Sequence, residues 1–206
     1  MVASISLTQF LTFTTKVSTS AKINEVKRIK NSPDYSPGID YWKQLRDEIK
    51  RIHENDLPIS ELLKLSSNVS EPKQRNYAKA IKNYVSFINN NEVEYFKPDK
   101  SYYNFSEDLS VRTSPELGLI VNGKRLYVKN WYKVSSTDTK INKRSIKSTL
   151  TMMRLSTKNF EVTDDENFAV LNLQNGKLTE ATPVLEEDLL ELEVDAGTFL
   201  SIWKQI

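Results

Sequence analysis

Ser114-Pro115-Glu116-Leu117-Gly118-Leu119-Ile120-Val121, then Asn122-Gly123, then Lys124-Arg125-Leu126-Tyr127-Val128-Lys129-Asn130-Trp131-Tyr132-Lys133 is the stretch that decides the fold. Asn-Gly between two runs of apolar, β-branched and aromatic residues is the strongest short-range signal for a β-hairpin. A type I′ turn needs positive φ at both central positions, and Asn and Gly tolerate it best. A two-residue turn sets the register, so Val121 faces Lys124, Leu119 faces Leu126 and Glu116 faces Lys129. Side chains alternate along a strand. Leu117, Leu119, Val121, Leu126 and Val128 therefore share the face to bury. Glu116, Gly118, Ile120, Arg125, Tyr127, Lys129 and Trp131 share the other. Three uses fit the Glu116–Lys129 pair: a catalytic floor, a nucleic-acid surface, or an ordinary cross-strand ion pair.

Working outward, the chain before the hairpin reads as helical. Ser6-Leu7-Thr8-Gln9 is a Ser-x-x-Gln capping box, and it predicts a helix from about Leu7 to Val17. Pro33, Pro37 and Gly38 make Val26 to Ile39 an irregular connection. Asp40 can cap a helix through Trp42, Leu45, Ile49 and Ile52, and Asp56-Leu57-Pro58 starts a short one. Ser70-Glu71-Pro72 starts a longer helix with Tyr77, Ile81, Tyr84, Val85 and Ile88 on one face. The period then changes to two. Val93–Phe96 and Leu109–Arg112 read as strands, with an aromatic loop or twisted edge from Pro98 to Asp108 between them. After the hairpin come a polar loop, a basic amphipathic helix over Asn142–Met153, a strand over Phe168–Leu173, and an Asn175-Gly176 turn. Pro183 onward reads as two helical pieces joined near Gly197. The organisation expected is one α+β domain: a helical N-terminal extension over 1–66, a core with a mixed central sheet over 70–179, and an acidic helical segment over 183–206.

Composition narrows the function classes. The 206 residues are 38% hydrophobic and 27% charged, with a mean hydropathy of −0.51. No run of about 18 apolar residues marks a membrane span, and no membrane partner is expected. There is no cysteine, which removes disulfides, thiol catalysis and cysteine-ligated metals. Together with the lack of an export signal, this fits a reducing, cytoplasmic setting. The single histidine, His53, reads as a basic residue in a last helical turn, and a histidine-rich metal site is impossible. Any metal site would be built of carboxylates, which suits Mg²⁺, Mn²⁺ or Ca²⁺. With five scattered glycines there is no phosphate-binding loop, and there is no Gly-x-Ser-x-Gly.

Charge is distributed unevenly. From Asn122 to Lys158 ten basic residues face Asp138 alone, a net of +9. From Asn159 to Ile206 eleven acids face Lys177 and Lys204, a net of −9. The basic stretch suits a polyanion, DNA or RNA, with Arg125, Lys133, Lys143, Arg144 and Lys147 as phosphate contacts and Trp131 as a stacking surface. The acidic segment suits a protein partner or a second copy of the chain. The plainer reading is two surfaces that attract each other.

The order from about Ser70 to Leu173 is helix, three strands, helix, strand. That αβββαβ order, with a basic helix after the third strand, resembles the core of the PD-(D/E)XK restriction-endonuclease-like superfamily. Ser114-Pro115-Glu116 resembles its Pro-Asp element, and Tyr127-Val128-Lys129 falls where its acid-x-Lys lies. The resemblance implies a nucleic-acid-binding protein, degenerate or a metal-dependent nuclease. Glu116 would hold Mg²⁺ or Mn²⁺, Lys129 would orient the attacking water, and Tyr127 would contact substrate. Tyr127 stands where the superfamily has its second acid, and Asp138, Glu71 and Asp108 are the remaining candidates for that role. A non-catalytic interaction or regulatory module is the alternative.

Overall fold

The computed structural model describes residues 2–32, 40–133, 141, 143–164 and 166–206; the side chain of Arg144 is not among the parts described. The Asn-Gly hairpin is its centre. Asn122 and Gly123 take φ of 51° and 80°, as a type I′ turn requires. The turn joins β5 (Leu117–Val121) to β6 (Lys124–Trp131), with Leu119 opposite Leu126 and Val121 opposite Lys124. β2 (Val93–Phe96) pairs antiparallel with β5 on the far side. β8 (Asn167–Asn172) pairs parallel with β6, and β9 (Lys177–Glu180) closes the row. The order of this mixed five-stranded sheet is β2-β5-β6-β8-β9. The parallel step from β6 to β8 crosses through α6 (Lys143–Leu155), since parallel neighbours need a crossover.

α5 (Glu71–Asn89) precedes β2, the large sheet then runs α5-β2-β5-β6-α6-β8 with β3, β4 and β7 belonging to another sheet, and the class is α+β. The meander is β2-β5-β6. Between β2 and β5 the chain leaves to build a second sheet. β3 (Ser101–Ser106) and β4 (Leu109–Arg112) form a hairpin, flanked by β1 (Ala3–Ser6) parallel to β4 and by β7 (Thr157–Lys158) beside β3. Pro98 to Asp108 is thus mostly strand, because Tyr103 and Phe105 pack one face of β3 onto the core.

The large sheet is buried on both faces. On one side Leu117, Leu119, Leu126, Val128 and Leu171 pack against α3 (Lys43–Glu54), α4 (Leu62–Asn68) and α5. On the other, Tyr127, Trp131, Phe168 and Val170 pack with β1, β4, α1 (Leu7–Thr14), α2 (Thr19–Lys30), α6 and α7 (Glu186–Gln205).

The helices differ from the expectation at several points: α3 has Trp42, not Asp40, at its N-cap, and α6 runs to Leu155. α1 forms with the Ser6–Gln9 capping box, but it stops at Thr14. The short helix after Leu57 begins with a 3₁₀ turn, Ile59–Glu61, before α4. A whole helix, α2, occupies Thr19–Lys30, capped by Ser18; it buries only Glu25, Val26 and Ile29, so its apolar stripe was too thin to read. The acidic segment is one helix, because Gly197 sits within α7 without breaking it. The N-terminal third is not a purely helical appendage, because β1 is a sheet strand and α1 is part of the core. Among the described residues no helix is long and apolar enough to cross a membrane.

Candidate functional site

The backbone N–H of Glu116 donates to the Val128 carbonyl (2.9 Å), which extends the β5–β6 register by one residue and sets Glu116 across from Lys129. The Lys129 ammonium donates to Glu116 Oε2 at 2.9 Å. Both side chains are almost fully buried, with 10% of Lys129 and 3% of Glu116 exposed. The second carboxylate oxygen, Oε1, accepts from the Tyr132 hydroxyl and from Asn130 Nδ2 at 3.4 Å. Glu116 precedes β5 and Tyr132 follows β6. The carboxylate therefore lies at the end of the hairpin, where residues of opposite parity reach the same point.

A shell of aromatic and charged groups from the helices covers this end. The Tyr132 ring stacks on Trp42 (5.6 Å between centroids), and Trp42 stacks on Tyr77 (5.2 Å). Arg46 on α3 is ion-paired with Asp40 at 2.6 Å. Burial works against its charge, but the Asp40 hydrogen bond and the Glu116 carboxylate outweigh this and hold the guanidinium above its ordinary pKa. Burial raises the phenols of Tyr132 and Tyr84, and the nearby negative charge of Glu116 raises them further. The Tyr84 hydroxyl meets His53 Nε2 at 2.7 Å, and His53 stacks on Tyr95. Burial lowers the His53 pKa, which keeps the imidazole neutral. His53 is thus a half-buried partner of Tyr84 rather than a dipole-facing surface residue. Asn130 Oδ1 is buried without a hydrogen-bond partner.

This arrangement does not fit a divalent cation. Mg²⁺ or Mn²⁺ needs free carboxylate oxygens and a second anionic ligand, yet both Glu116 oxygens are engaged by an ammonium, a phenol and an amide. Among the described residues, no group of three or more His, Asp or Glu side chains is placed to hold a metal. Glu71 is exposed at the head of α5, and Asp108 pairs with Lys204 beside the small sheet. Asp138 lies outside the described residues.

Tyr127 belongs to a different cluster, although it shares a pleat face with Lys129. Its hydroxyl donates to Glu166 Oε2 (3.0 Å), and its ring packs between Phe160, Phe168 and Phe96. Arg125 pairs with Glu166 (2.7 Å) and lies 3.5 Å over the Phe96 ring. Phe96 covers Gly118 so closely that a Cβ there would meet its ring at 2.4 Å and its carbonyl oxygen at 2.5 Å. The carboxylate of Glu116 is drawn to the hairpin end, while the phenol of Tyr127 is drawn to Glu166. The three residues expected together are split two and one.

The expected nucleic-acid contacts fare unevenly. Trp131 is 2% exposed and is part of the core, so it presents no ring to a base. Lys133 is half-buried beside Glu25, Arg28 and Lys16, and burial lowers its pKa. Lys147 pairs with Glu187 (3.2 Å) and with Asp188 on α7. Lys143 is exposed, and the side chain of Arg144 lies outside the described parts. The basic helix and the acidic helix bind each other, the plainer of the two readings of their charge.

Asn130, Tyr132, Arg46, Trp42 and Tyr84 escaped sequence reasoning as parts of the site. Strand parity points Asn130 and Tyr132 away from Lys129, and the helical residues come from more than thirty positions upstream. No protein-family model, curated protein or solved structure matches this chain.

Proposed function

We propose that this chain is a nucleic-acid-contacting protein built on a PD-(D/E)XK-like αβββαβ frame whose former catalytic position no longer cuts. The observation that carries this reading is the Glu116 carboxylate, filled by Lys129, Asn130 and Tyr132, with no metal-holding group of acids among the described residues. The order α5-β2-β5-β6-α6-β8, with a parallel last step, supports the superfamily resemblance. In this reading Lys129 and Glu116 lock the hairpin end, and the protein binds the nucleic-acid backbone by charge. A cysteine-free chain suits a reducing cytoplasm.

The test is binding and cleavage of duplex and single-stranded DNA and RNA in Mg²⁺, Mn²⁺ or EDTA. Salt-sensitive binding without cleavage is expected. Metal-dependent cleavage lost in Glu116→Gln would refute the loss of catalysis, and absence of binding at low salt would refute the nucleic-acid reading.

A second reading, a protein-interaction module, draws on α7. Leu190 and Val194, one turn apart on α7, are 61% and 57% exposed, and Leu185 and Leu189 at its start are exposed as well. A concentration-dependent mass in solution that returns to monomer in Leu190→Glu would favour association through this helix.

A further inference from the structure

We propose that the outer face of α5, carrying Arg75, Lys79 and Lys82, is the surface that holds the phosphate backbone of a nucleic-acid duplex. The inference rests on the nucleic-acid reading above and moves the contact away from the strand and helix on which sequence alone places it.

The helix carries Lys73, Arg75, Lys79 and Lys82 against one acid, Glu71, in its first turn. Its buried stripe is Tyr77, Ala80, Ile81, Tyr84 and Phe87. Arg75, Lys79 and Lys82 are spaced i, i+4 and i+7. At 3.6 residues per turn they fall within about 60° of arc, opposite that stripe. All three are exposed. None makes an ion pair among the described residues, which sets them apart from Lys147, Lys204, Lys124 and Arg125.

Two neighbours widen the patch. Lys64 on α4 is 75% exposed, with only a long 3.9 Å contact to Glu61. Lys177 opens β9 directly after Gly176, which abuts Asn83 of α5. Beside Arg75 a shallow cleft of about 370 Å³ is lined by Ser66, Ser67, Gln74 and Ala78 and contains no acid. Cations flanked by small neutral polar groups are what phosphate contacts use.

The composition of the face selects the occupant. Protein interfaces are anchored by aromatic or large apolar side chains, and of the large exposed apolar residues only Leu63 lies on α4 or α5. Single strands are held by stacking on aromatic rings, and Tyr77 and Tyr84 point inward. A stripe of cations without rings suits a duplex. From Arg75 to Lys82 the stripe rises roughly 10 Å along the helix, which spans about three phosphates of one strand along the duplex axis.

The experiment measures affinity for a 20-base-pair DNA between 50 and 300 mM salt. It compares the full chain with Arg75→Ala/Lys79→Ala/Lys82→Ala, with Lys79→Arg/Lys82→Arg and with Lys204→Ala, an exposed cation on α7, after circular dichroism shows all to be folded. The triple variant should lose roughly three from the slope of log K against log salt, and at least about tenfold in affinity at 50 mM. The arginine variant and Lys204→Ala should bind like the parent. If the parent binds duplex and the triple variant binds equally well, the α5 surface is overturned while the nucleic-acid reading stands. If the parent prefers single strands, the duplex assignment is overturned. If the parent binds no nucleic acid, the reading beneath the proposal is overturned with it.

Discussion

Replacing Lys129 by methionine tests whether the Glu116–Lys129 pair is structural. The variant keeps most of the side-chain volume and removes the charge. In the parent, Nζ lies 2.9 Å from Glu116 Oε2. At that distance the direct attraction is about 6 kcal/mol for an effective dielectric near 20. Desolvation of two buried ions offsets much of this, so the pair as a whole adds little net stability. Removing one member is different, because the carboxylate stays buried with only Tyr132 and Asn130 as donors and Arg46 at a distance. Breaking a buried pair in this way costs about 3–5 kcal/mol. In a chain of this size each kcal/mol moves Tm by about 2–4 °C, so Lys129→Met should melt roughly 6–20 °C below the parent. Glu116→Gln should behave similarly, since it strands the ammonium. The double variant Glu116→Gln/Lys129→Met should be no worse than either single one, which a double-mutant cycle in urea reads as coupling. A Lys129→Met variant within 1 kcal/mol of the parent, with no coupling, would show that the carboxylate does not depend on the lysine.

Three other outcomes follow from the same geometry. Gly118→Ala should destabilise by about 1–3 kcal/mol through overpacking, since the new Cβ meets both the ring and the backbone oxygen of Phe96; urea unfolding reads it, and a neutral result would mean that β2 shifts freely. His53 has a lowered pKa in the fold, so the unfolded chain binds its proton first. The contribution of neutral His53 is fully present above about pH 6.5 and is lost as pH falls below that value toward the lowered one; the difference in stability between parent and His53→Phe should therefore narrow on acidification from pH 7.5 to 5.5. Asp188→Ala removes the acceptor for the Leu185 N–H (3.0 Å) and the Lys147 partner, and should cost about 0.5–2 kcal/mol, with faster amide exchange confined to the first turns of α7.

Local chemistry made the hairpin legible. Asn122-Gly123 fixes the turn, the turn fixes the register, and the register puts Glu116 across from Lys129. The same logic gives the face of Tyr127 but not its partner, because its hydroxyl goes to Glu166, thirty-nine residues away. Pleat parity says which side of a sheet a residue takes, not which partner wins it. Tyr132 was missed for the converse reason: it lies past the end of β6, where alternation no longer separates the faces. α2 and β3 were missed because their apolar stripes are short or aromatic, and only tertiary packing decides such segments.

Charge runs misled in an instructive way. The +9 stretch looks like a polyanion surface when counted along the chain, but much of it is spent inside the fold, on Glu166, on Glu187 and Asp188, or near Glu25. What remains for a partner is the charge left unpaired after folding, and on α5 that residue is Arg75, Lys79 and Lys82. Counted along the sequence, α5 carries only four cations and draws no notice. Counted on its outward face, after the opposing stripe is buried, it presents a line of cations unbalanced except by Glu71 at its head. An electrostatic interface is a property of a surface, so the helix with the smaller total charge is the better candidate.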